Sequence, residues 1–317
     1  MRSKTKKDLK VLGLCMALFA VVQVLINLDI IGPFWELNLV LIGINIILAS
    51  SLNLINGFTG QFSIGHAGFM AVGAYVSAVL SVKFELPFIL AILGSAASAG
   101  LLGFMIGLPT LRLKGDYLAI ATLGLGEIIR ICILNIQYVG GASGFMGIPR
   151  YTNFAWVFAL TIVTLFVIKN LINSTHGRAC IAIRENEIAA ESMGVDTTRY
   201  KVMAFTIGAF FAGVAGALFS HYFYIAHPAS FTFMKSFDIL TIVVLGGLGS
   251  LTGSVTAAIL LTFVSAALAG YPEWRMVIYS LMLIILMIYR PQGLFGNKEL
   301  SMAMFGRLFG GGKRDAA

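Results

Sequence analysis

The stretch "INGFTGQFSIGHAGFMAVGAY", residues 55–75, sets five glycines, an asparagine, a glutamine and a histidine inside an otherwise apolar run. A stable membrane helix has little use for Gly57, Gly60, Gly65, Gly68 and Gly73 together, since each glycine costs about 1 kcal/mol against alanine inside a helix. It has less use for Gln61 and His66, whose polar groups need partners at that depth. The purpose of the interruption has to be found in the rest of the chain.

The 317 residues are 58% hydrophobic and 11% charged, with a mean hydropathy of +0.91. Soluble domains run near 45–50% apolar and about 25% charged. No water-soluble core could hide this much apolar surface, whereas a bilayer acts as its solvent. The composition specifies an all-α polytopic membrane protein. A span takes about 20 residues at 1.5 Å rise each. Apolar runs fall at 11–31, 37–55, 63–82, 86–108, 117–137, 153–173 and 201–224, then a short one at 238–248, then 251–269 and 274–290. That is about ten transmembrane helices in a single membrane domain, 11–290. A basic segment, 1–10, precedes it and a basic tail, 291–317, follows it. The start "MRSKTKKDLK" plus the first run could also be a signal peptide. The lack of a small-residue cleavage pattern before "NLDIIGPFWEL" favours a retained helix.

Ten spans put both termini on one side, and the basic residues test that side. Arg2, Lys4, Lys6, Lys7, Lys10, Arg112, Lys114, Lys169, Arg178, Arg184, Arg199, Lys201, Arg290, Lys298, Arg307, Lys313 and Arg314 make seventeen inside. Lys83, Arg150, Lys235 and Arg275 make four outside, and Arg130 alone falls within a span. This is the positive-inside bias of a chain with both termini cytoplasmic. The net charge of +8 is then topology and contact with anionic lipid, not a nucleic-acid surface. The outer segments 138–152 and 224–237 are too short for a folded receptor. The inner segment 174–201 is polar, charged and helix-prone.

The chemistry that would make this an enzyme is absent from the pattern. The tail "GRLFGGGKRDAA" fails as a nucleotide loop, because Arg314 follows Gly312-Lys313 and no strand precedes it. Cys15, Cys132 and Cys180 are scattered, with neither disulfide nor metal spacing. His66, His176, His221 and His227 lie far apart. Glu127 sits mid-span with Arg130 three residues on, on the same helical face. Such a pair either holds helices together or presents Glu127 to a transport pathway.

Irregular backbone within a bilayer must be buried in protein or line a wet cavity. The glycine breaks occur at 56–68 and in "LGGLGSLTGS", 245–254, in opposite halves of the chain. Paired interruptions of this kind surround the central path of repeat-built transporters. The candidate break or pathway residues are Gly57, Gly60, Gln61, Ser63, Gly65, His66, Glu127, Gly246, Gly247 and Gly249. Close helix packing is the plain alternative for glycines. It is favoured for Gly73 and those after 208, and Gly103/Gly107 and Gly249/Gly253 also have packing spacing. His66 fits a hydrogen-bonded packing residue better than a substrate contact. A transporter without an ATP site but with a conspicuous inner helix suggests an external motor. In "RENEIAAESMG", 184–194, Gly194 forms the C-terminal stop.

The ordered set "GQFSIGHAGFMAVGAY", "LAIATLGLGEIIR", "GGASGFMGIP", "RENEIAAESMGVDTTRYKVMAFTIGAFFAGVAGAL", "VVLGGLGSLTG" and "RPQGLFG" resembles the permease subunits of bacterial branched-chain amino acid ABC importers, from about residue 37 to 296. The resemblance is closest to the M-type member, which pairs with an H-type homologue. It implies a multi-pass protein of the inner membrane that binds no cofactor. It also implies two cytoplasmic ATPase subunits that hold ATP and Mg, and a periplasmic amino-acid-binding protein. It makes 184–194 the coupling helix, with Arg184, Glu185, Glu187, Ala189, Ala190 and Gly194 as its residues. The broader importer motif places a Glu where Ile188 stands here, so the segment's role carries over but no individual salt bridge does. Importers for urea, ribose or nucleosides share the architecture. An autonomous channel or secondary carrier is the reading from another class.

Overall fold

The computed structural model describes residues 17–290, apart from positions 18, 29, 31, 112 and 114, together with Gly293 and Leu294. The basic segment 1–10, Arg112, Lys114 and the tail from 295 onward carry much of the charge asymmetry and lie outside the described residues. Helix fills the apolar runs. Residues 17 and 19–27 are helical, and Phe19 packs on Phe154 and Phe158, with ring centroids 5.9 and 5.0 Å apart. Then follow α1 (Pro33–Asn53), α2 (His66–Val82), α3 (Phe88–Thr110), α4 (Asp116–Asn135) and α5 (Phe154–Asn173). After these come α6 (Thr175–Glu185), α7 (Glu187–Ser192), α8 (Thr197–Phe223), α9 (Phe233–Gly246), α10 (Leu251–Ala267) and α11 (Pro272–Tyr289).

Among the described residues, five helices are long and apolar enough to cross a membrane: Pro33–Phe58, α3, α4, α5 and α8. The starts are written locally. Pro33 takes the first turn of α1, where its missing N–H is no loss. Asn153, Ser174, Asp196 and Ser250 cap α5, α6, α8 and α10 through side-chain oxygens.

The bundle is built around α8, which packs along α2 and α3. The contact is nearly backbone to backbone. A Cβ at Gly73 would overlap the Gly213 carbonyl, and one at Gly216 would overlap the Met70 carbonyl. Lipid gives helices no hydrophobic reason to associate, so this close approach supplies the dispersion contacts that hold them. Gly103 meets Ala209 in the same way. The packing expectation for these glycines holds.

The two ends of the bundle differ. At one end the segments expected outside are stitched into a short antiparallel pair, β1 (Phe145–Met146) with β2 (Ile225–Ala226). There Lys83 Nζ donates to the Tyr138 carbonyl at 2.7 Å, and Arg150 pairs with Glu36 at 3.2 Å. The opposite end gathers the glycine breaks with α6 and α7.

The placement of α9 corrects the sequence reading. The short run at 238–248 begins at Phe233, and the Phe233 amide donates to Glu127 Oε1 at 2.9 Å. Glu127 stands about 16 Å into α4 at 1.5 Å per residue, near the middle of a spanning helix. Lys235, counted among the outside residues, lies in the first turn of α9, two residues past this contact. The segment 227–232 buries Pro228 and Phe231 and leaves Ala229 and Ser230 exposed.

Candidate functional site

Helix α1 does not stop cleanly. It loosens into a π-helical turn, Leu54–Phe58, then runs irregularly to Gly65 before α2 begins. Gly60 makes the turn with φ +72, the left-handed region that a side chain would oppose. The irregular backbone is satisfied within the protein, as apolar surroundings demand. Asn56 brackets Ser63, donating to its carbonyl at 3.1 Å and accepting from its amide at 3.2 Å. Thr59 Oγ1 donates to the Leu54 carbonyl at 2.9 Å, and the Ile64 amide donates to Thr122 at 3.1 Å. Gly65 lies against the Thr122 backbone, where a Cβ would overlap the carbonyl.

The two breaks meet in space. Asn53 bridges them, donating from Nδ2 to the Ser250 carbonyl at 2.9 Å and to Ser254 Oγ at 2.8 Å. Its Oδ1 accepts from the Gly249 amide at 2.9 Å. Gly57 lies so close that a Cβ would overlap the Gly249 nitrogen. Gly249 is a turn residue, φ +84, and the pair packed across the second break is Gly246 with Gly253. The Gly249/Gly253 packing spacing read from the sequence is thus replaced by Gly246/Gly253. Gly247 turns the chain with φ +109 as it leaves α9.

The inner helix segment reaches this junction directly. Arg184 Nη1 donates to the Gly57 carbonyl at 3.0 Å, and its Cα and Cγ lie where a Cβ on Gly60 would touch them. The same guanidinium pairs with Glu185. The segment is two helices. α6 ends at Glu185, Asn186 takes an extended conformation, and its side chain caps α7 through the Ala189 amide at 3.0 Å. Glu187 pairs with Lys201 of α8 at 2.6 Å. Gly194, φ +83, closes the segment as expected. Ala190 is buried, while Ile188 and Met193 are 73% and 84% exposed. Burial pushes the Cys180 thiol of α6 up from its ordinary pKa.

The other candidates separate from this cluster. His66 is fully buried with Nε2 2.8 Å from Ser51 Oγ, while its Nδ1 has no hydrogen-bond partner within the chain. Gln61 is buried, and neither of its amide atoms is hydrogen-bonded within the chain. Glu127 pairs with Arg130 at 2.7 Å and receives the first amide of α9, satisfying a helix end that would otherwise be orphaned. The space beside it is about 10 Å³, room for about one water. Asn53, Thr122 and Lys201 were missed. An asparagine deep in an apolar run, immediately before a glycine break, was the available signal for Asn53.

The comparisons agree with this architecture. Residues 36–287 match the family described as branched-chain amino acid transport system / permease component. The LivM proteins of Escherichia coli and Salmonella typhimurium, high-affinity branched-chain amino acid transport system permease proteins, are 40% and 39% identical over 288 residues. Each alignment covers 79% of this chain and 67% of the relative. The LivH protein of Salmonella typhimurium is 24% identical over 283 residues, covering 80% of this chain and 92% of its own. No solved structure matches the chain. With most of its length matched, and matched better by LivM than by LivH, this multi-pass membrane protein belongs to the branched-chain amino acid transport system permease family, in its M-type branch.

Proposed function

We propose that this chain forms the membrane path of a bacterial importer for leucine, isoleucine and valine, with an H-type permease beside it. Two cytoplasmic ATPase subunits hydrolyse ATP with Mg, and a periplasmic binding protein delivers the amino acid. In this reading ten helices cross the inner membrane and both termini lie in the cytoplasm. The chain has no ATPase site of its own. The names of the LivM relatives support the substrate class, and the likeness to LivH supports the homologous partner.

The observation that carries the mechanism is the contact of Arg184 with Gly57 and Gly60 of the first break. A motor subunit seated on Ile188 and Met193 would push α7. The Asn186 joint and the Glu187–Lys201 pair carry that motion to α6 and α8. Arg184 then shifts the Gly57–Gly60 turn, and Asn53 carries the shift into the second break. One push at the inner face so moves segments from both halves of the chain. Small shifts become discrete changes because packed interfaces have few alternative arrangements.

The test is the complete importer in liposomes with labelled leucine. ATP-dependent uptake that needs the binding protein is the expected result. Uptake by vesicles lacking the ATPase subunits would assign the chain to the autonomous carriers, and no uptake under either condition would reject the substrate assignment.

A further inference from the structure

The inward start of α9 has a chemical consequence. Lys235 and Asp238, one turn apart on its first two turns, follow directly on the Phe233 amide that meets Glu127 in mid-α4. Charged groups there are expensive and are kept where they serve a path or a ligand. They line a cleft of about 150 Å³ between α1, α9 and α10, together with Asn38, Asn45, Thr262 and Ser265. Its apolar wall is Leu41, Ile242 and Leu261. Asn45 Nδ2 donates to Thr262 Oγ1 at 2.9 Å, and its Oδ1 is buried without a hydrogen-bond partner in the chain. The volume holds roughly ten water-sized groups, the scale of a small aliphatic amino acid.

We propose that this cleft binds the zwitterion of an aliphatic amino acid during passage, an inference that rests on the transport function proposed above. Asp238 and Asn45 Oδ1 receive the ammonium, Lys235 receives the carboxylate, and the wall of Leu41, Ile242 and Leu261 takes the side chain. Both charged residues already have partners within the protein. A zwitterion offers each a replacement of the right sign, so binding exchanges contacts and does not simply add them. The resulting affinity is modest, which a transport path requires, since a tight site would trap its cargo.

Two measurements on the full chain test this. In detergent, ~10 mM L-leucine raises the melting temperature by about 2–4 °C. 4-Methylpentanoate, which lacks the ammonium, and isoamylamine, which lacks the carboxylate, do not. Asp238→Asn and Lys235→Gln abolish the shift. No shift in the unmodified protein, or an equal shift with 4-methylpentanoate, overturns the site. In liposomes with the whole importer, both variants lower leucine uptake about tenfold while ATP hydrolysis stimulated by the loaded binding protein persists. Retained uptake overturns the proposal. So does simultaneous loss of uptake and stimulated hydrolysis, because the charges would then merely hold α1, α9 and α10 together. A leucine-specific melting shift in a protein whose complete importer moves no leucine would reject the transport reading and leave the zwitterion site standing.

Discussion

Where α2 crosses α8, a Cβ on Gly73 would overlap the backbone of Gly213. At the first break, a Cβ on Gly60 would meet Arg184 at 3.0–3.3 Å, with its own backbone already at φ +72. The first glycine removes atoms so that two helices can touch, and its neighbour is rigid main chain. The second bends the chain beside a long charged side chain from the inner segment. Sequence patterning separates them only by their flanks, polar around Gly60 and apolar around Gly73. The neighbours assign the first to holding the bundle, and the mechanism proposed above uses the second to move it.

The sharpest way to break this distinction is to overfill both regions. Gly216→Leu drives a side chain into the Met70 carbonyl at the α2–α8 crossing. Overpacking typically costs 1–3 kcal/mol, and more where backbone must yield, so the loss should exceed about 3 kcal/mol and little monodisperse protein should survive in detergent. Normal yield and melting would show that the crossing tolerates separation.

Arg184→Glu should do the reverse, leaving the bundle folded and lowering ATP-driven uptake about tenfold or more. It removes the donor to the Gly57 carbonyl and sets a carboxylate against that oxygen and against Glu185. Uptake within twofold of the unmodified importer would end the idea that the turn takes its motion from α6. Glu187→Lys reverses a charge at the Lys201 pair and leaves Arg184 in place, which separates a change of charge from loss of this contact. Its effect should be smaller.

Glu127→Gln tests the residue with two readings. The amide keeps an acceptor for Phe233 but gives up the charge opposite Arg130. The expected loss is about 1–3 kcal/mol of stability, with uptake per folded molecule nearly unchanged, and Glu127→Ala should lose more because α9 is also uncapped. Abolished uptake in a Gln variant of normal stability would return Glu127 to the pathway.

Hydropathy alone placed the helices of this fold, because each run must satisfy its own backbone in lipid and so announces its length. The break at 56–65 was legible for a related reason, since Asn56, Gly57, Gly60 and Gln61 cannot all continue a helix. Its partners were not. Asn53 and Ser250 are 197 positions apart, and Arg184 and Gly57 are 127 apart, distances over which local pattern carries no information. Lys235 was counted outside because it precedes the apolar run at 238–248. The tie of its helix to α4 shows only in the Phe233–Glu127 contact. Asn186, which divides the inner segment in two, reads as an ordinary polar residue until its extended backbone and cap are seen.

The finest test of the comparison uses two glycines with the same backbone demand. Gly60 and Gly194 have φ +72 and +83, and alanine in that region costs about 1–2 kcal/mol at either. Nothing lies within 4 Å of a Cβ at Gly194, whereas Arg184 borders Gly60. Gly60→Ala and Gly194→Ala should therefore lose similar melting temperature, and only the first should reduce leucine uptake, by a few-fold, as Arg184 is displaced from the Gly57 carbonyl. Equal uptake in the two variants would mean that backbone strain alone is felt, and that the contact between inner segment and break carries no motion.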